Sequence, residues 1–365
     1  MILKHLKIHQ FRNFLALSLR PHPRINLIYG ENGSGKTNLL EAIHHLSTGK
    51  SFRTTLSSRV IHHGAEACQI HGLIQKDFLS LSVGIERHRH EPSKLYLNQA
   101  PSHAAELVSH FPLRLINPDS FNFLVGGPAF RRQLLNWGVF HVEPSFWLLW
   151  RQTQRILKQR NALLKKGQRK ELKGWDEQLV NHANQLVPLY KQYFCVFEPI
   201  FNELIKQFLP KFTFKLSYHP GWDEKIPLID LLESNYPKDQ AQARTHAGPH
   251  RADIKIRCNK HLAKEFLSRG QQKLLVCALI LAQGMVLKEH HSLNCTYLLD
   301  DLAAELDPIN LKRVCDLLNT MEAQVFITSS DNKLTESLFS ANQISMFHVE
   351  QLCSSKIPDL EESVL

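Results

Sequence analysis

Eight consecutive residues, Gly30-Glu31-Asn32-Gly33-Ser34-Gly35-Lys36-Thr37, fit the pattern G-x-x-x-x-G-K-[ST]. In that pattern glycines let backbone amides approach a phosphate, a lysine reaches the β- and γ-oxygens, and a hydroxyl joins Mg²⁺. The flanks suit it. Ile25, Leu27, Ile28 and Tyr29 form a short strand-type run, and Leu39, Leu40, Ile43 and Leu46 recur at helical spacing. A strand that turns through glycines into a helix also aims the helix's positive end at the anion. The spacing therefore predicts ATP or GTP bound with Mg²⁺, with Lys36 on the phosphates and Thr37 on the metal.

Three further groups could complete such a site. The apolar run Tyr297-Leu298-Leu299 ends in Asp300-Asp301. Asp300 is placed to hold Mg²⁺ through water, and Asp301 stands where a water-activating base is wanted. Ser268-Arg269-Gly270-Gln271 opens a strongly apolar helix, offering a hydroxyl, free amides and a dipole to a second anion site. Lys36 and Thr37 already cradle a nucleotide within this chain. A second anion-binding helix start, together with Asp307, thus suggests a γ-phosphate sandwiched between two subunits. Each group has an ordinary explanation too, since buried strands often end in aspartate and Ser268 caps a helix. Their combination with the phosphate loop favours chemistry.

The elements that must position these residues are spread widely. Thr37 and Asp300 lie 263 residues apart, more than a compact nucleotide domain needs, so the head must be built from both chain ends. Residues 1–29 alternate as a strand meander through Leu3, Leu6, Ile8, Phe11 and Phe14. Strand-like runs recur near 68–86 and 113–116, resume after 215, and end with a last strand, Gln324–Ile327, running into Thr328. Between them lies a helix-rich insertion. Residues 131–220 carry 15 Lys/Arg against 6 Asp/Glu, and 151–173 hold nine basic residues and one acidic. Leu149, Ile156 and Leu163 recur every seven residues, as do Trp150, Leu157 and Leu164, giving an apolar stripe with a basic opposite face. Gly167 and Gly174 bracket a tip, and a second helical stretch returns through 176–209 with a kink expected at Pro188. Helices of about 20 residues span roughly 30 Å, so this is a short arm. Arg151, Arg155, Lys158, Arg160, Lys165 and Lys166 are candidates to contact DNA phosphates, against the plainer alternative of a solvated basic face. The expected division is a head segment at 1–130, a basic helical lobe at 131–215, and a second head segment at 216–365.

Composition narrows the class. The 365 residues are 43% hydrophobic with a formal net charge of +10, enough apolar content for a real core and a charge that suits an acidic partner. Seven scattered cysteines, never paired as C-x-x-C, are the usage of a reducing cytosol and argue against a disulfide framework or zinc site. The 21 histidines have no carboxylate or cysteine companions at ligand spacing. The start, MILKHLKIHQ, is too polar for a signal segment, and no run approaches 18 apolar residues, so a soluble, cytoplasmic protein is expected.

Six motifs in order resemble the RecF family of bacterial recombination-repair ATPases: FRNF (11–14), INLIYGENGSGKTNLLEAI (25–43), NPDSFNFLVGGPAFRR (117–132), THAGPHRAD (245–253), SRGQQK (268–273) and LLDDLAAELD (298–307). The resemblance covers nearly the whole chain. It implies an α/β fold, an ABC-type P-loop ATPase head like those of structural-maintenance-of-chromosomes proteins, with an inserted helical lobe. It further implies ATP-dependent dimers that load at gapped or single-strand/double-strand DNA junctions. There, with RecR and RecO, they help RecA replace single-strand-binding protein, supporting repair and the damage response. By motif position Gly30 to Thr37 are the Walker A loop, Ser268 to Lys273 the signature and Asp300 the Walker B magnesium residue. Asp301 takes the base position, Asp307 the D-loop and Thr328 the switch; Gln69 is a candidate Q-loop residue. Aspartate where the wider class has glutamate, and threonine where it has histidine, suggest slow hydrolysis. Two other classes compete. A transporter ATPase would lack the basic arm, and a small-molecule kinase would not need the helix start at 268–273.

Overall fold

β3 (Ile25–Tyr29) and α1 (Lys36–Thr48) stand where strand-type and helical spacing meet at the glycine loop, and the rest of the first unit is built around them. The computed structural model describes residues 1–330, 338–339 and 341–354. It divides into two units, Met1–Ser120 with the chain from Leu287 on, and Phe121–Val286. In the first unit β1 (Ile2–Phe11), β2 (Phe14–Leu19), β4 (Ala67–Lys76), β5 (Leu79–His88), β6 (Lys94–Leu97) and β7 (Ala100–Pro101) form an antiparallel sheet in the order β2-β1-β4-β5-β6-β7. A second, parallel sheet runs β14-β3-β13-β12-β8, using β8 (Leu113–Ile116), β12 (Thr296–Leu299), β13 (Val325–Ser329) and β14 (Ile344–His348). Strands from both chain ends thus mix in one sheet. Leu39, Leu40, Ile43 and Leu46 of α1 share one core with Leu6, Ile70 and Ile85 of the first sheet and with Ile28, Leu298 and Phe326 of the second. Burial on every β12 position explains its unbroken apolar run. The sequence predicts β13 as the last strand, but β14 follows it. β14 adds an edge beside β3, and its half-buried residues lack the alternation that would mark it.

The second unit holds α2 (Pro128–Val142), α3 (Phe146–Lys166), α4 (Leu172–Phe208) and most of α5 (Arg269–His291). It also holds a sheet of β9 (Phe214–His219), β10 (Asp253–Cys258) and β11 (His261–Leu262). Residues 216–286 therefore fold with the helices. Arg131 forks onto Asp253 at 2.7 and 3.1 Å, and the Gln283 amide donates to Leu134 O at 2.6 Å. α3 ends at Gly167 in the left-handed region, as expected of a tip. Gly174, however, lies inside α4, which runs as one helix past Pro188 and Pro199. α5 is long and apolar enough to cross a membrane, contrary to the absence of any such run expected from the sequence. It is a core helix instead, with Leu274 through Ala282 almost wholly buried.

One of the cations expected to contact DNA does not face solvent. Arg151, Arg155, Lys158, Lys165 and Lys166 are exposed on α3, but Arg160 is fully buried. Its guanidinium donates to Asp176 at 2.5 Å, Asp239 at 2.7 Å and Thr245 Oγ1 at 2.9 Å. Burial still holds the Asp176 pKa above its usual value, against the pull of Arg160. A guanidinium wholly buried against two carboxylates is out of reach of a phosphate. Arg160→Ala leaves Asp239 buried without its cation and should cost about 3–5 kcal/mol in urea unfolding. Lys158→Ala, on the exposed face, should stay within about 0.5 kcal/mol of wild type.

Candidate nucleotide-binding site

The loop between β3 and α1 is shaped before any ligand is considered. Gly35 precedes α1 at φ 112°, and a side chain there would collide with the Asn13 amide. Asn13 Nδ2 donates to Ser34 O at 2.9 Å while its Oδ1 accepts from Asn38 Nδ2 at 2.8 Å, tying the loop to the first turn of α1. Lys36 is nearly buried, and its ammonium donates to Gly30 O and Glu31 O, both at 2.8 Å. Those partners are carbonyls, so the charge is available to an anion. Ser34 Oγ is buried with no hydrogen-bond partner among the described residues, a polar atom inside the loop that a phosphate oxygen would satisfy.

From the other end of the chain β12 delivers Asp300. Its backbone N–H donates to Ile116 O, and its Oδ1 accepts from Thr37 Oγ1 and from Thr328 Oγ1, each at 2.9 Å. Burial pushes its pKa up, against the pull of the two hydroxyls and of Arg53. A buried carboxylate touching a threonine hydroxyl is a hard-oxygen pair, the donor set Mg²⁺ takes, and the residues fit that ion. Asp301 adopts the left-handed region at φ 53°, and its N–H donates to Thr328 Oγ1 at 2.8 Å. Thr328 thus brackets the two aspartates. Its hydroxyl meets the Asp300 carboxylate and the Asp301 backbone, and it carries no charge of its own.

Sequence reasoning missed several neighbours. Arg12, in the β1–β2 turn, forks onto the buried Glu41 of α1 at 2.8 and 2.7 Å, and Ser51 Oγ donates to the same carboxylate. Arg53 donates to Asn38 Oδ1 at 2.7 Å. Glu350, on α6 (residues 349–354), accepts from Glu31 N–H at 3.0 Å and leaves no room for a side chain at Gly30. Hydrogen bonds hold its carboxyl below the usual range. Single polar residues so far apart give no local pattern. Gln69 sits mid-strand on β4, exposed and paired with His9 and Glu86. On the β8 side Asp300 N–H donates to Ile116 O, and the buried Asn117 follows directly after that strand.

Ser268, Gly270 and Gln271 belong to the second unit. Ser268 N–H donates to Gln271 Oε1 at 2.9 Å, and Gln271 N–H reaches Ser268 Oγ at 3.4 Å, a reciprocal cap at the start of α5. Both Ser268 and Gly270 are exposed, and a methyl on Gly270 would meet nothing within 4 Å. Asp307, in the first unit and exposed, caps the helix Pro308–Thr320 by accepting from Asn310 N at 3.0 Å, and these bonds hold its pKa down.

A family model described as the RecF/RecN/SMC N terminal domain matches residues 2–355. The DNA replication and repair protein RecF of Stutzerimonas stutzeri (strain A1501) is 41% identical over 355 residues, 96% of each chain. Its counterpart in Shewanella frigidimarina (strain NCIMB 400) is 39% identical over 353 residues, 96% of this chain and 98% of its own. A solved structure of the recombination mediator protein RecF with ATPrS, in the RecFOR pathway, has a TM-score of 0.83 at 25% identity, covering 95% of this chain and 96% of that one. An Smc head bound to the C-winged helix domain of ScpA shares the fold alone, with a TM-score of 0.58 at 16% identity over 92% and 91% of the chains. The fold is that of an ABC-type ATPase head.

Proposed function

The chain belongs to the RecF family of DNA replication and repair proteins, and we propose that it is an ATP-gated DNA-binding dimer of recombinational repair. The observation that carries the nucleotide half is the contact between Thr37 Oγ1 and Asp300 Oδ1, made by residues 263 apart in sequence. A hydroxyl brought beside a buried carboxylate from so distant a stretch is the oxygen pair that a shared Mg²⁺ would use. Mg²⁺, when bound, would neutralise charge on the nucleotide's terminal phosphates. Thr37 and Asp300 hold it, and Lys36 can move to a phosphate without breaking an ion pair. Asp301, fixed through Thr328, orients the attacking water; its short side chain suits slow hydrolysis and a weak ATPase. Ser268, Gly270 and Gln271 of one copy then close on the nucleotide of another, a use that explains a glycine the single chain does not need. The exposed cations of α3 hold DNA, and hydrolysis releases it.

In this reading the dimer loads at gapped or single-strand/double-strand junctions of nucleoid DNA in the cytoplasm. It meets RecR, with RecO, to help RecA loading, replication restart and SOS induction. The RecFOR pathway named for a solved relative supports those partners. Filter binding against salt tests the DNA half. ATP should tighten duplex binding, with log affinity falling linearly in log salt, and neutralising Arg151, Arg155 or Lys158 to Gln should each flatten that slope by about one. Duplex affinity indifferent to both ATP and salt would end this reading.

A further inference from the structure

On α3 the positions 147, 150, 151, 154, 158 and 165 share a sector of about 100°, because steps of three, four and seven residues nearly close whole turns. Here they are Trp147, Trp150, Arg151, Gln154, Lys158 and Lys165. The heptad pattern predicts Trp150 in the apolar stripe with Leu157 and Leu164. Those two are buried, while Trp147 and Trp150 are half-buried, Arg151, Gln154, Lys158 and Lys165 exposed, and Asn161, in the same sector, half-buried and accepting from Thr245 N–H at 2.9 Å. The tryptophan rings stack with centroids 5.6 Å apart and planes 18° from parallel. Phe140, at the end of α2, meets Trp147 edge-on at 6.0 Å, and His141 links Phe140 to Trp137 at 5.1 and 4.3 Å. Trp150, Gln154, Arg132 and Asn136 line a cavity of about 240 Å³ that has no carboxylate among its lining residues.

Packing accounts for the parts of these rings turned to Phe140 and to the cavity, and leaves their other parts beside a row of exposed cations. Arg151, Lys158 and Lys165 recur every seven residues, about 10.5 Å apart along the helix axis, and can follow a phosphate backbone. Stacked rings beside such a row are the recipe for unpaired bases, since every base has a π-face and a duplex has already spent its own. We propose that this face of α3 is a stacking track for single-stranded DNA, with phosphates on Arg151, Lys158 and Lys165, bases on Trp147 and Trp150, and the cavity open to one base. The absence of carboxylates in the cavity is the charge complement to that ligand. The proposal rests on the DNA-binding reading above and adds to it where bases, as opposed to phosphates, are felt.

Three probes of equal length separate the two: oligo(dT), a duplex, and an all-abasic strand of the same charge. Trp150→Ala should weaken oligo(dT) binding by about 5- to 150-fold, the range for losing one base–aromatic stack. Duplex and abasic affinities should stay unchanged, and Trp150→Phe should recover most of the loss. Equal weakening of all three probes, or no change in any, overturns the track; the second outcome would assign the row to packing or to a protein partner. Should Trp150→Ala fail to fold, 5-iodouracil crosslinking of oligo(dT) to the wild type decides. Adducts on Trp147 or Trp150 support the track, and adducts confined elsewhere refute it. A wild type that binds duplex under ATP but not oligo(dT) refutes the track and leaves the proposed function standing. One that binds no probe removes both.

Discussion

Asp300→Asn is expected to slow single-turnover ATP hydrolysis by about 10²- to 10³-fold, the usual loss when one electrostatic stabiliser is removed from a site. The substitution is close to isosteric. Its amide oxygen can still accept from Thr37 and Thr328, so the bracket that orders β12 against the loop survives. What disappears is the negative charge. Stability should move the other way. Burial raises the Asp300 pKa, so its folded value exceeds the unfolded one. Its contribution to stability is then full below the ordinary aspartate pKa of about 4 and is lost as pH rises through the raised value. Asparagine stays neutral throughout. Without Mg²⁺ and nucleotide the variant should therefore melt no lower than wild type at neutral pH, and the two should converge on acidification. With both ligands present wild type alone should gain. A variant that keeps wild-type turnover would remove Asp300 from the chemistry, and one that unfolds at neutral pH would make its role structural.

The parts of this site that were legible in sequence are those that carry their own local context. The loop announces itself because Ile25–Tyr29, the glycines and Leu39–Leu46 change period within a few residues. Asp300 follows a run that β12 buries at every position. Asn13, Arg53 and Glu350 were not legible, since each acts on the loop through a tertiary contact from a different stretch of chain. The same reason hid the fate of Arg160. Its helical phase, four residues from both Ile156 and Leu164, sets it on the apolar side away from Lys158, but its buried partners Asp239 and Thr245 are 79 and 85 residues away. Helical periodicity likewise found α3 but set the wrong limit to its apolar face, because a heptad count cannot tell a covered Trp150 from a half-covered one. The parallel order β14-β3-β13-β12-β8 joins both chain ends. The distance from Thr37 to Asp300 implied such a union, though not which strand neighbours which.

Ser268→Arg should abolish the ATP-dependent dimer in light scattering and, with it, ATP turnover. The monomer should lose only about 1 kcal/mol, the usual worth of a helix cap. Ser268 and Gln271 cap each other at 2.9 and 3.4 Å, so a purely structural role predicts that small loss and nothing more. Ser268→Ala removes the same cap without bulk and isolates it. A decisive comparison mixes two defective proteins. Lys36→Ala damages the loop of its own chain, whereas Ser268→Arg, if the signature acts across subunits, damages the site built on its partner's loop. In the mixed dimer one site then carries both defects and the other carries neither. Turnover should therefore return to a substantial fraction of wild type although each protein alone is inactive. If Ser268 served its own chain's nucleotide, every site in the mixture would hold one defect, and mixing would restore nothing.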